Sequence, residues 1–163
     1  MNPEIKIKTL RSEINKSLLV LVRLEDFIID FQQEISVEKS GKKLRIQEAM
    51  IITQAFTNYY TCIETLFLRI SKFFENNLDK KQWHRSLLEK MTLEIETIRP
   101  RVISESVYKA LLEFLKFRHF SRYYFELDYD WDKLEFLQKK FNDIHISLKN
   151  EIAEFDSFLK SLL

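Results

Sequence analysis

Between Glu4 and Glu38, apolar side chains recur at Ile7, Leu10, Ile14, Leu18, Leu21, Leu24, Ile28, Phe31 and Ile35. Every step is three or four residues, the spacing of one face of an α-helix. Lys8, Arg11, Glu13, Lys16, Arg23 and Asp30 fall on the opposite side. The charged stretch 38–43 contains Gly41, a natural helix terminator. A second stripe follows at Ile46, Met50, Thr53, Phe56, Tyr60, Ile63, Phe67, Ile70 and Phe74. The short link predicts an antiparallel hairpin of two helices, each about 45–50 Å long at the α-helical rise.

Beyond it the periods shorten. Asp79 and Gln82 form a capping-box pattern before Trp83, Leu87, Leu88, Met91 and Ile95, and Pro100 stops that run. Ser104 is a candidate N-cap for a helix carrying Val107, Leu111, Leu112, Leu115, Arg118, His119 and Arg122. Asp128 or Asp130 can cap the last helix, with its stripe Leu134, Leu137, Phe141, Ile144, Leu148, Ile152, Phe155 and Leu159 or Leu162. The pattern predicts an all-α, up-down bundle with helices near 4–37, 44–77, 82–97, 104–125 and 131–162, in one domain spanning 1–163.

Composition supports that class. One glycine and two prolines in 163 residues cannot supply the turns of a β-rich fold, and a single glycine excludes glycine-rich phosphate loops. Charge is balanced, 26 basic against 25 acidic, so any nucleic-acid contact must come from a local cluster. Cys62 stands alone and cannot form an internal disulfide, which suits a reducing cytoplasm. The longest aliphatic run, residues 18–22, is far short of the roughly 20 residues of a membrane span, and no signal core follows the N-terminus. A cytoplasmic protein with no membrane contact is expected.

The three histidines, His84, His119 and His145, lack the four-residue pairing of a helical zinc site, so no metal ligands are assigned. His145 reads as a surface or boundary residue. His84 reads as part of a capping cluster or as the rim of an anion site. The densest constellation is Lys116-Phe117-Arg118-His119-Phe120-Ser121-Arg122-Tyr123-Tyr124-Phe125. Arg118 and Arg122 share one helical face, and His119 and Tyr123 the adjoining one. Arg118, Arg122 and Lys116 can grip phosphate while Tyr124 stacks on a base. Equally, cations are favourable at any helix C-terminus.

Several blocks resemble the HepT-like branch of the HEPN superfamily. They are Tyr59-Tyr60-Thr61-Cys62-Ile63-Glu64 with Phe67 and Arg69-Ile70, Trp83 through Met91, Arg99 through Ser104, Phe117-Arg118-His119 with Arg122, and Leu127-Asp128. Their order and spacing hold from about Tyr59 to Leu134. The resemblance implies a helical bundle that dimerises with two copies of the fourth helix facing a shared groove. It also implies a metal-independent ribonuclease chemistry without cofactors, in toxins checked by a nucleotidyltransferase antitoxin. The family signature is arginine, a polar residue, three further positions, histidine, one residue and tyrosine. Laid on this chain it selects Arg118, His119, Tyr123 and Phe125, so the signature histidine and tyrosine are both replaced.

Both departures bear on the implied reaction. A base must take the proton of the ribose 2′-hydroxyl while arginine stabilises charge on the phosphate. Histidine, with a pKa near 6.5, suits the proton step, whereas a tyrosine near 10 stays protonated at neutral pH. Phe125 has no hydroxyl to accept a nucleotidyl group. His119 is either the substitute proton carrier, acting across a dimer on the phosphate held by the other copy's Arg118, or a polar positioning residue. The sequence therefore supports an RNA-binding toxin-type component of weakened ribonuclease activity, with Arg118, His119 and Tyr123 as its catalytic candidates. Alternatively, it is a non-catalytic module that binds a nucleotidyltransferase or another protein, or a purely structural helical dimer.

Overall fold

The computed structural model describes residues 2–38, 45–75 and 83–163. Among these, five α-helices follow in chain order: α1 Pro3–Glu38, α2 Ile46–Phe74, α3 Trp83–Lys90, α4 Glu105–Ser121 and α5 Trp131–Ser161. The described residues contain no sheet, only an isolated antiparallel bridge between Ile95 and Arg99. The all-α bundle expected from the stripes is the fold. The Gly41 break and the cap pattern of Asp79 and Gln82 lie outside the described residues.

α2 runs back along α1. Arg69 Nε lies 3.7 Å from Glu13, and Cys62 Sγ lies 3.9 Å from the Ser17 carbonyl oxygen. α5 also runs antiparallel to α1, and Arg11 joins them by two bonds to Asp156 at 3.0 and 2.9 Å. The α5 stripe is buried at all of its first seven positions, and Leu159 rather than Leu162 completes it. Phe56, Tyr59, Phe114 and Phe141 pack ring on ring at 5.2 to 6.1 Å, joining α2, α4 and α5. Each such ring removed from water contributes about 1.5–3 kcal/mol, so this cluster anchors α4 to the long helices.

Capping sets where the shorter elements begin. The Ser104 hydroxyl accepts from the Val107 amide at 3.4 Å, while the Ser104 amide donates to Glu151 of α5 at 2.8 Å. Of the two aspartates expected to start α5, Asp130 does so, accepting from the Lys133 amide at 3.1 Å.

Three expectations change. The third helix stops at Lys90 instead of reaching residue 97. Arg99 is the reason. Its guanidinium donates to the carbonyls of Lys90, Leu93 and Pro100 at 2.9 to 3.2 Å and to Glu75, so it takes up carbonyls that a continuing helix would use. The fourth helix ends at Ser121 rather than 125, because the chain tightens into a 3₁₀ turn at Tyr124–Glu126 that buries Tyr124. In the first turns of α2, Ile46 and Met50 are exposed, and the buried line instead passes through Ala49 and Ile52.

A buried acid also sits in the core. Glu25 is held between α1 and α5 by the Lys149 ammonium, with His145 Nδ1 3.6 Å away and the His145 ring stacked on Phe141. Burial pushes the Glu25 carboxyl above its ordinary pKa, against the opposing pull of Lys149 and His145. His145 is thus a boundary residue, as its place beside the stripe suggested.

Candidate functional site

α2 brings Tyr60 and Glu64 one turn apart onto the face that meets α3 and α4, and both are buried. From α4, Arg118 reaches this acid with two parallel bonds, Nη1 to Oε1 at 2.8 Å and Nη2 to Oε2 at 3.1 Å. This is the fork geometry in which guanidinium binds carboxylate or phosphate. The Arg118 guanidinium also lies over the Tyr60 ring, 5.2 Å from its centre. Only 12% of the Arg118 side chain is exposed, and its Nε is buried without a partner among the described residues.

α3 supplies the third member. His84 Nδ1 is 2.7 Å from Glu64 Oε2 and 3.0 Å from Arg118 Nη2. An ionised carboxylate only accepts and a guanidinium only donates. The Nδ1 hydrogen therefore goes to Glu64, and Arg118 is satisfied by the same carboxylate. Trp83 stacks on the His84 ring at 3.7 Å, which fixes its plane. His84 is neither a simple capping residue nor an open rim; it is the third arm of an ion cluster.

His119 is exposed beside this cluster, its ring edge-on to His84 at 5.9 Å. Partial burial, then the charges of Arg118 and Arg122, lower its pKa. A histidine shifted down from 6.5 is neutral at pH 7 and able to accept a proton. Tyr60 cannot share that task, because burial raises its hydroxyl far above neutrality.

The remaining sequence candidates disperse. Arg122, the residue closing α4, is exposed. Tyr123 and Phe125 stand in solvent just past the helix, 73% and 76% exposed. Lys116 pairs with Glu113 at 2.8 Å and borders a different recess, between α4 and α5. The Tyr124 ring is covered by Phe117, Phe120 and Tyr129, so it offers no stacking face, and its hydroxyl accepts from the Asp130 amide at 3.4 Å. The structure thus gathers Arg118 and His119 with Glu64 and His84, and leaves Lys116 and Tyr124 elsewhere. Besides its place in a block that carries the family resemblance, the sequence marks Glu64 only as an acid set beside Ile63 and Phe67 on an apolar face. No group of three His, Cys, Asp or Glu among the described residues is placed to hold a metal ion.

Glu64, His84 and Arg118 come from three of the separate sequence blocks that carry the family resemblance, and they meet in one cluster. Residues 51–159 match the family model described as HepT-like protein. The chain belongs to the HepT-like protein family. No curated protein and no solved structure matches it. The matched range takes in most of α2 and nearly all of α5, so the HepT-like unit includes every residue of the cluster. No helix among the described residues is long and apolar enough to cross a membrane.

Proposed function

We propose that this HepT-like protein is a binding module that engages a protein partner of the nucleotidyltransferase type through the end of α4, as a two-fold dimer, without cutting RNA by the family's signature chemistry. The observation that carries this reading is the separation of the signature residues. Arg118 is turned inward onto Glu64, while the side chains at the two replaced positions, Tyr123 and Phe125, stand out in water. An arginine held by an ionised carboxylate has little net charge to offer a phosphate. Phe120 and Leu127 are also exposed, so the end of α4 offers apolar surface of the kind that partners cover.

The second reading, RNA bound in a dimer groove and slowly cleaved, is favoured by His119. It is exposed, and partial burial with the charges of Arg118 and Arg122 lowers its pKa, which suits a general base.

Purified protein incubated with total RNA in the presence of a chelator separates the two. The module reading expects no cleavage above that of His119→Ala. The ribonuclease reading expects cleavage that His119→Ala lowers by about 10²–10⁴, the usual worth of a general base. In the absence of cleavage, co-purification with a nucleotidyltransferase encoded beside this chain, lost in Tyr123→Ser/Phe125→Ser, supports the module. Failure to co-purify refutes that choice of partner.

A further inference from the structure

α1 carries its charges in an order that works against the helix itself. Up to residue 24 it has five cations and two acids; from residue 25 to 38 it has five acids and no cation. The dipole of a helix favours acids near its start and cations near its end, the reverse of this order. Asp26, Asp30 and Glu34 also follow at four-residue steps, which stacks like charges along one exposed line. Neighbouring helices do not answer them. α5 sends Lys149 to the buried Glu25, and α2 sends Arg69 to Glu13. Among the described residues, Lys16, Arg23, Asp26, Asp30 and Glu34 make no ion pair, and all five are exposed. Even Arg23 and Asp26, about one turn apart, stand unpaired.

Apolar side chains lie among these charges. Leu19, Val22 and Phe27 are exposed, Leu19 by 64% and Phe27 by 50%. We propose that this outward face of α1 pairs antiparallel with α1 of a second copy, and that this contact holds the two-fold dimer. A two-fold axis that sets Arg23 against the partner's Asp26 sets Asp26 against the partner's Arg23 at the same time. The same register puts Val22 against the partner's Phe27, and Lys16 within a turn of the partner's Asp30 and Glu34. The two dipoles then run opposed, and each acidic half lies along a basic one. A parallel pairing would set like charge against like. α1 precedes the residues that match the family model, so this surface lies outside the HepT-like unit. It differs from the fourth-helix groove that the resemblance implies, and it leaves the end of α4 open to a protein partner. It rests on the function proposed above only in that the chain dimerises.

The test is sedimentation equilibrium of the full chain and of charge-reversal variants. A contact one helix wide is small, so the parent is expected to dimerise in the micromolar range, and less tightly in high salt. Arg23→Asp opposes like charges at both symmetric ends of the contact and is expected to weaken the dimer about tenfold or more, and Asp26→Arg to do the same. Both alter only exposed side chains, and a thermal melt confirms that they fold. Mixed in equal amounts, the two single variants are expected to form a heterodimer about as tight as the parent dimer, because every opposed pair is again unlike in charge. Arg23→Asp/Asp26→Arg in one chain is expected to dimerise with itself for the same reason. A parent that stays monomeric overturns both this contact and the dimer, and leaves the face to some other occupant. A dimer as tight as the parent's in both single variants, or single variants that fail to combine on mixing, overturns the contact alone. A dimer lost in Tyr123→Ser/Phe125→Ser but kept in the α1 variants does the same, and seats the dimer on α4.

Discussion

Replacing Arg99 by methionine should be among the most damaging single changes in this protein. The Arg99 side chain is wholly buried, and its guanidinium ties three backbone carbonyls and Glu75 together where α2, α3 and the segment before α4 converge. Methionine keeps much of the volume but leaves the carbonyls of Lys90, Leu93 and Pro100 without that donor. Among the described residues, Glu75 then keeps Lys90, at 3.6 Å. Removing one partner of a buried ion pair costs about 3–5 kcal/mol, most of it from the group left behind. In a domain of this size each kcal/mol moves the melting temperature by about 2–4 °C, so a fall of roughly 6–20 °C is expected. Thermal and urea unfolding followed by circular dichroism read it directly. Arg99→Lys should recover little, because one ammonium cannot span a carboxylate and three carbonyls. Adding Glu75→Gln to Arg99→Met should cost less than the two separate losses combined, since the orphaned charge goes with it. A melting temperature within about 2 °C of the parent for Arg99→Met, less than one kcal/mol on that scale, would refute the assignment of Arg99 as the clamp.

Other outcomes rest on the same physics. Glu64→Gln should weaken the fold by about 1.5–3 kcal/mol in urea titrations, the worth of a hydrogen bond to a charged group; no loss would mean that the Arg118 fork contributes nothing. Glu25 carries a carboxyl pKa raised by burial, so its protonated form is favoured in the folded state. The stability it contributes is present at and below the ordinary carboxylate range and is lost as pH rises through the folded pKa. Relative to Glu25→Gln, the parent should therefore lose stability on going from acid to neutral pH; parallel stability curves for the two would contradict this. Light scattering at micromolar concentration should report about twice 19.8 kDa, and a monomer throughout that range would count against the dimer.

Much of the fold was legible in the residues because a helix is a local object. A three-four stripe needs only a sequence window to be seen, and the α5 stripe is buried at every position from Leu134 to Leu159. Ser104 and Asp130 were legible as caps for the same reason: each bonds an amide three residues ahead. The short Arg118-His119 motif was likewise visible as a dense local cluster. What the sequence did not disclose is which charges lie inside. Arg118 meets Glu64 across 54 positions and His84 across 34, while Arg99 meets Glu75 across 24. No periodicity links residues so far apart. Only the packing of α2, α3 and α4 decides that Arg118 faces an acid rather than water, that Tyr124 is covered while Tyr123 is free, and that α3 ends where Arg99 takes its carbonyls. Local spacing determines that these segments are helices. The desolvation of a few ions between them, each satisfied only by a partner brought from another helix, determines what the site can hold.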